Sequence, residues 1–279
     1  MTTVIGRFRT ALVKAGYLAL LFGNSVFSET AHADLLDDIK ERGSIIVATE
    51  MRYAPFDMVV EGRYQGLCKD LFDAVAHDLG VKAVYADLPW PSILPGLAAK
   101  RFDLVNAPVA STPVRQKRYA FTHPIGIATV GLLKRARDTQ FMHPTDLAGR
   151  TVGVQKGSAE LQHLKEFTAP LEDVTIREYI STDDAMVDLG TGRIDAVANA
   201  LPLLQYAVQQ RPESFALVSP PLSSPGYFSW ITRKDAESAR LLEAVNASLQ
   251  AMHDDGRLEA LRAKWLKNPL PLPRTLPTS

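Results

Sequence analysis

The 279-residue sequence has few of the features that several classes of protein require. It contains a single cysteine, Cys68, so an exported chain would have no internal disulfide and would depend on its core for stability. Its 31 basic and 31 acidic residues leave no net charge, which argues against a nucleic-acid or membrane-surface partner. The six histidines are dispersed and no pair has metalloprotease spacing, so the sequence predicts no metal site and no cofactor.

Residues 1–33 are predicted to be a cleavable signal peptide. Three basic residues precede an apolar segment at 15–27, which is too short for a comfortable membrane span. Ala-His-Ala at 31–33 fits the A-x-A cleavage pattern, so the mature chain is expected to begin at Asp34. Cleavage removes three basic residues and one acidic residue, which leaves 28 and 30, and no stable membrane insertion is expected.

Strand-like and helix-like segments alternate along the mature chain. The first half predicts strands at 44–49, 82–86 and 102–107 with helices at 70–79 and 92–100. The second half predicts strands at 151–154, 175–179 and 194–198 with helices at 158–167 and 181–190. This order predicts an α/β fold in which helices cover both faces of parallel sheets.

Two extended stretches, 126–133 and 226–232, are interpreted as crossings between the halves. A long amphipathic helix at 236–253 and a short helix ending at Trp265 would then return to the first half. The prediction is two lobes joined by a two-strand hinge, with a cleft between them. Lobe 1 comprises 34–125 plus 226–279, lobe 2 comprises 130–222, and the hinge lies near 126–129 and 223–227.

Several stretches carry a family resemblance in order. They are LLDDIKERGSIIVAT at 35–49, YAPFD at 53–57, GLCKDLFDAVAHDLG at 66–80, WPSILPGLAAKRFDLV at 90–105, STPVRQKRYAFTHP at 111–124, DLAGRTVGVQKGSAE at 146–160, GRIDAV at 192–197 and DDGRLEALRAKWL at 254–266. On these stretches the chain resembles family 3 of the extracellular solute-binding proteins, the amino-acid-type capture components of ABC importers. The resemblance implies two Rossmann-like lobes of the type II periplasmic binding protein kind. It also implies a monomer in the periplasm that delivers a small carboxylate ligand to a membrane permease.

Arg115 is the first candidate ligand residue. Thr112 is a plausible helix N-cap and Pro113 suits the first helical position, so Arg115 falls in the first turn just beyond a predicted strand. A cation there opposes the helix dipole, so local stability does not explain it. A guanidinium that binds a carboxylate would explain it, and a solvated surface arginine is the alternative. The resemblance implies that Arg115 binds the ligand's α-carboxylate.

A second set of candidates lies at other strand-to-helix turns. Ser158, with the N–H groups of Ser158 and Ala159, would form a small anion site at a helix start, or Ser158 would be an ordinary N-cap. The resemblance implies that Tyr53 and Trp90 stack on the ligand side chain, although aromatic residues often serve packing alone. It also implies that Glu50 faces the cleft, with a solvated loop carboxylate as the alternative.

The chain departs from the resembled family where the ligand's ammonium group would bind. A Thr or Ser hydroxyl is replaced by Ala110, an Asp by Ala200, and a Gly or Ser by Pro108, which lacks an N–H. An unpaired buried ammonium is costly, so both an amino acid and a non-amino organic acid stay open as ligands. If the loops shift, Asn199 beside Ala200, Glu50 and Ser111 are the candidate substitutes for the missing acceptors. Without a shift, the site keeps its carboxylate half and loses its ammonium half.

The alternative function is an enzyme on the same fold. Periplasmic cyclohexadienyl dehydratases resemble these binding proteins, and their chemistry needs a cleft acid that protonates a leaving hydroxyl. Glu160 and Glu178 are the candidate carboxylates, although nothing in their spacing singles them out. Cys68 is interpreted as a small semi-buried residue rather than a nucleophile, and the expected function is binding without catalysis.

Overall fold

Two separate sheets with parallel central strands organise the chain. The computed structural model describes residues 34–267 and 269–277, and the predicted signal peptide lies outside them. The strands are β1 Ser44–Thr49, β2 Arg52–Tyr53, β3 Asp57–Val60, β4 Arg63–Gln65, β5 Lys82–Asp87, β6 Leu104–Ala110, β7 Tyr119–Phe121, β8 Gly126–Ile127, β9 Val130–Arg135, β10 Thr151–Gln155, β11 Thr175–Tyr179, β12 Ala196–Ala200, β13 Phe215–Val218 and β14 Tyr227–Arg233.

Helices cover the faces of both sheets. They are α1 Leu35–Arg42, α2 Leu67–Asp78, α3 Trp90–Ala98, α4 Pro113–Arg118, α5 Ala159–Thr168, α6 Thr182–Thr191, α7 Leu201–Gln210, α8 Ala239–Asp254 and α9 Arg257–Trp265, with a 3-10 helix at Pro144–Leu147. Among the residues that the structure describes, no helix combines the length and the apolar character needed to cross a bilayer.

The six-stranded sheet is built mainly from the first part of the chain. Its order is β5-β1-β6-β14-β7, and β8 pairs with the other end of β14. Strands β1, β5 and β6 are parallel, whereas β14 is antiparallel to its neighbours. Helices α8 and α9 pack against α1 and α2, so the end of the chain returns to this sheet as expected from the sequence.

The five-stranded sheet is built from residues 130–218. Its order is β11-β10-β12-β9-β13, with β10, β11 and β12 parallel and β9 and β13 antiparallel. In both sheets the parallel strands therefore end at a common edge, where the following turns lead into helices. Residues 126–133 run from β8 of the six-stranded sheet into β9 of the five-stranded sheet. The second predicted crossing, 226–232, is extended but lies almost entirely within β14 of the six-stranded sheet, so the return connection runs through residues 219–226 instead.

Most predicted elements are found with small shifts in their ends. Strand β11 has the predicted bounds, whereas β6 begins two residues later than expected and continues to Ala110. The three-stranded sheet of β2, β3 and β4 and the helix α7 had no counterpart in the sequence prediction.

The core of the first sheet is apolar and contains the single cysteine. The rings of Phe72 and Trp230 are fully buried and meet edge to face with centroids 5.0 Å apart. Cys68 in α2 is also fully buried, and burial raises the pKa of its thiol well above the ordinary value. A buried, protonated thiol is a poor nucleophile, in agreement with its interpretation as a packing residue.

Candidate functional site

A small cavity lies where the carboxyl ends of the parallel strands of both sheets meet. Its lining residues are Glu50, Tyr53, Trp90, Ala107, Pro108, Ala110, Arg115, Gln155, Ser158, Glu160 and Phe228. Seven of the ten predicted ligand residues are among them. The three that do not line it are Ala159, Asn199 and Ala200, and all three are buried.

Arg115 is held in the cavity by its helix start and by two backbone carbonyls. The Thr112 hydroxyl accepts a hydrogen bond from the Arg115 N–H at 3.3 Å, so the predicted N-cap is present. The guanidinium donates to Ala110 O at 3.2 Å and to Gly157 O at 3.3 Å, which lies across the cavity. It also lies over the ring of Trp90, 5.2 Å from the centroid.

Burial has an electrostatic effect on this arginine. It lowers the pKa of Arg115, while the nearby Glu160 carboxylate acts in the opposite direction. An arginine pKa lies so far above neutrality that the guanidinium stays cationic. Two bonds to neutral carbonyls leave it with further N–H donors for an anion.

The start of α5 faces Arg115 from the second sheet. The Ser158 hydroxyl accepts a hydrogen bond from the Leu161 N–H at 3.1 Å, so the N-cap interpretation of Ser158 is confirmed. The first N–H groups of α5 have no partner within the helix, and together with the helix dipole they favour an anion at this end. Arg115 and the α5 start therefore present donors to the same cavity from two different sheets.

Glu50 connects the two sheets directly. Its carboxylate accepts hydrogen bonds from Gln155 Nε2 at 2.7 and 3.0 Å, and Gln155 is the last residue of β10. Burial is the largest influence on Glu50 and raises its pKa to about 7, although the bond from Gln155 acts in the opposite direction. Near neutral pH this side chain is therefore divided between its protonated and ionised forms.

Two aromatic residues also join the sheets across the cavity. The Tyr53 hydroxyl donates to Asn199 Oδ1 at 2.7 Å, and Trp90 Nε1 donates to Gly157 O at 3.2 Å. Burial raises the pKa of Tyr53 well above its ordinary value, so its hydroxyl remains a donor. Both rings thus combine packing with a hydrogen bond, as buried tyrosine and tryptophan commonly do.

The cavity is narrow in this arrangement of the two sheets. Its volume of about 20 Å³ has room for about one water molecule, whereas sites for drug-sized ligands have volumes of about 300 Å³ or more. A solute of amino-acid size can enter only if the lining groups move apart.

A larger cavity of about 420 Å³ lies elsewhere, between α7 and residues 262–270. Its lining is mostly apolar, and its one arginine, Arg262, is already bonded to the Glu259 carboxylate and to Leu270 O. The narrower cavity is the better candidate, because polar groups that follow strands of two different sheets converge on it.

Sequence reasoning did not assign three lining residues, Ala107, Gln155 and Phe228. Gln155 ends a parallel strand, and the rule that selected the other candidates would have selected it as well. The sequence indicates Glu160 only as a candidate acid for the enzyme alternative. In the structure it lines the cavity. The other acid considered, Glu178, is exposed on β11 and pairs with Lys165 at 3.6 Å, away from the cavity.

The comparison with known families agrees with the fold. The family model for bacterial extracellular solute-binding proteins, family 3, matches residues 45–268. The protein belongs to this family. The L-cystine-binding protein TcyJ of Escherichia coli K12 is 32% identical over 260 residues, which cover 92% of this chain and 95% of the relative.

Solved structures share the architecture of this family-3 protein. A mutant of ArgBP from T. maritima has a TM-score of 0.77 at 27% identity and covers 83% of this chain and 98% of its own. The ancestral amino acid-binding protein AncCDT-1, described as a precursor of cyclohexadienyl dehydratase, has a TM-score of 0.75 at 30% identity, with 84% and 100% covered. The predicted fold class is confirmed, as is the predicted function of solute capture for an ABC importer rather than catalysis.

Proposed function

We propose that the protein captures a small carboxylate-bearing solute, an amino acid in the first instance, by closure of two lobes over it. Lobe 1 comprises 34–125 plus 226–279 and lobe 2 comprises 130–222, joined by a hinge near 126–129 and 223–227. One observation supports this proposal most directly. Arg115 follows β6 of the six-stranded sheet and α5 follows β10 of the five-stranded sheet, and both face one cavity. Donors that converge only when the sheets approach would link ligand binding to closure.

The same proposal includes the location of the protein and its partner. Export through the predicted signal peptide would place it in the periplasm as a monomer, where it would pass its solute to a membrane permease. The near balance of 28 basic and 30 acidic residues in the predicted mature chain fits a freely diffusing carrier without a nucleic-acid partner. The names of the relatives suggest L-cystine and L-arginine as the first amino acids to test.

Arg115 is proposed to bind the ligand carboxylate, with the Ser158 and Ala159 N–H groups opposite. The Ser158 N–H donates to Gln155 O at 3.3 Å and would exchange that bond for the ligand. To bind it, the guanidinium would exchange its neutral bond to Gly157 O for charge-assisted bonds. Tyr53, Trp90 and Phe228 would surround the rest of the solute with aromatic surface. Pro108 and Ala110 line the cavity at the end of β6, where Ala110 O accepts from the Arg115 guanidinium.

A thermal-shift screen tests this function. Common L-amino acids, including L-cystine and L-arginine, are compared with simple organic acids on the wild-type protein, Arg115→Ala and Arg118→Ala. A ligand at 100 times its Kd stabilises a protein by about 2.7 kcal/mol, which raises the midpoint by several degrees. Arg118 is an exposed residue of the same helix and serves as the matched control.

The expected result is a shift with at least one carboxylate solute in the wild type and in Arg118→Ala, and none in Arg115→Ala. An undiminished shift in Arg115→Ala would refute the role of Arg115. The absence of any response in the wild type across the screen would count against the proposed ligand class.

A further inference from the structure

Glu160 has a buried carboxylate that the proposed function leaves without a role. Only 5% of this residue is exposed, and it lines the candidate cavity from the first turn of α5. Among the described residues its carboxylate forms no hydrogen bond, and its oxygens are not among the fully buried unpartnered atoms, so they are accessible from the cavity. A helix N-terminus favours an acidic side chain, but an exposed one would satisfy the dipole without the cost of burial.

The groups that face Glu160 come from several elements. Arg115 on α4 is its cationic neighbour, and the Tyr53 hydroxyl and the Glu50 carboxylate face the same space. Arg115 is the cationic side chain of the lining, and Glu160 and the partly ionised Glu50 are its two carboxylates. A solute with one carboxylate and one ammonium group matches charges of both signs without adding net charge to a buried space.

The other candidate acceptors for an ammonium group are absent or already used. Ala110 and Ala200 have no polar side-chain atoms. Asn199 Oδ1 accepts from the Tyr53 hydroxyl and from the Ala200 N–H, and its Nδ2 donates to Thr182, each at 2.7 Å.

Two further groups are less suitable than Glu160 as acceptors for the ligand's ammonium group. The Ser111 hydroxyl accepts from Gln116 Nε2 at 2.8 Å, and Ser111 does not line the cavity. Glu50 is held by Gln155 through both of its carboxylate oxygens. Glu160 is therefore the lining carboxylate with free acceptor capacity.

We propose that Glu160 is a specificity-determining residue that accepts the ligand's α-ammonium group while Arg115 binds its carboxylate. This inference rests on the function proposed above. It restricts the site to amino acids, because a des-amino acid would leave Glu160 buried without a partner beside a second carboxylate. Leaving one member of a buried charge pair unpaired costs binding, so the des-amino analogue should bind at least about 30-fold more weakly.

Isothermal titration calorimetry with matched ligand pairs tests the role of Glu160. The pairs are L-cystine with 3,3′-dithiodipropionate and L-arginine with 5-guanidinopentanoate, which differ only in the amino groups. Each is titrated into the wild type, Glu160→Gln and Glu178→Gln. Glu178 is an exposed acid on β11 of the five-stranded sheet, outside the cavity, and serves as the control.

The measured quantity is the ratio of the two Kd values within a pair. The wild type and Glu178→Gln should bind the amino acid of one pair at least about 30-fold more tightly, and Glu160→Gln should reduce that ratio by at least tenfold. A purely structural role of Glu160 would weaken both ligands equally and leave the ratio unchanged. That result would overturn the inference.

The remaining outcomes separate the inference from the proposed function. Tight, Arg115-dependent binding of a des-amino acid by the wild type would overturn the role of Glu160 but leave carboxylate capture intact. No binding of any ligand in either pair would count against both. Circular dichroism checks the folding of each variant, and Glu160→Met, of similar length, replaces Glu160→Gln if folding is lost.

Discussion

The buried Glu50 carboxylate should make the protein less stable as the pH rises. Burial raises the pKa of Glu50 from 4.5 to about 7 in the folded chain. The folded state then binds the proton more tightly than the unfolded state. Stability is therefore lost as the pH rises from 4.5 through about 7, and the full penalty is present above that range. At about 1.4 kcal/mol for each tenfold change in proton affinity, this penalty amounts to roughly 3 kcal/mol.

The substitution Glu50→Gln removes the charge and keeps an acceptor for the Gln155 bond. Its free energy of unfolding should exceed that of the wild type at pH 8, and this gain should be about 2 kcal/mol greater at pH 8 than at pH 5. Burial also raises the pKa of Asp57 to about 7. Asp57 is present in both proteins, so most of its own titration cancels in the comparison, and the remainder is the small part of its pKa shift that the Glu50 charge causes.

Urea unfolding followed by tryptophan fluorescence provides the measurement at each pH. The control is Glu178→Gln, which removes an exposed carboxylate and should change stability by little at either pH. A Glu50→Gln effect of the same size at pH 5 and pH 8 would refute the assignment. So would a variant that is less stable than the wild type at pH 8, since the lost hydrogen bond would then outweigh the charge.

Three further substitutions probe particular contacts. Tyr53→Phe removes the hydroxyl that donates to Asn199 Oδ1 and should lower the free energy of unfolding by about 1 kcal/mol, measured by urea unfolding. Ser181→Ala removes the N-cap of α6, whose hydroxyl accepts from the N–H three residues later at 3.3 Å, and should cost about 1 kcal/mol in the same assay. Gly66→Ala should cost about 3 kcal/mol or more, measured by the thermal midpoint, because Gly66 has φ of 142° and a Cβ would lie 2.2 Å from Phe56 O.

Each of these three predictions has a result that would contradict it. A neutral Tyr53→Phe would mean that water replaces the lost bond, and a neutral Ser181→Ala would mean that another group caps α6. A Gly66→Ala protein that unfolds at the wild-type temperature would show that the turn before α2 relaxes without cost.

The sequence predicted strands well where hydrophobic pattern and turn signals agree. Strand β11 has the expected bounds, whereas β6 was expected to end at Ala107, just before Pro108. Proline lacks the N–H that a strand needs. In the structure β6 continues to Ala110, and its pairing with β14 is irregular between Ser229 and Ile231. Because the pairing is already interrupted there, the strand tolerates the absence of an N–H on Pro108.

The hairpin before α2 could not be predicted from a local pattern. Strand β3 begins with Asp57, a fully buried acid that accepts a hydrogen bond from the Tyr64 hydroxyl. Cys68 on α2 lies beside Asp57. The contact between Asp57 on β3 and Cys68 on α2 is a tertiary contact, and sequence spacing does not reveal it.

For the candidate site, strand ends were the useful signal and side-chain partners were not. The rule that ligands bind beyond the carboxyl ends of strands found Glu50, Arg115 and Ser158. It could not show that Asn199 would be saturated by Tyr53 and by its own backbone neighbour, because that depends on how the two sheets meet. Nor could it show that Glu160 would be buried without a hydrogen bond.

A crystal structure of the protein with the solute that stabilises it most tests the central claim most directly. The account predicts the ligand carboxylate within hydrogen-bonding distance of the Arg115 guanidinium and of the N–H groups that begin α5, with Gly157 O released from Arg115. A ligand bound in the larger cavity beside α7, or with its carboxylate away from Arg115, would contradict it.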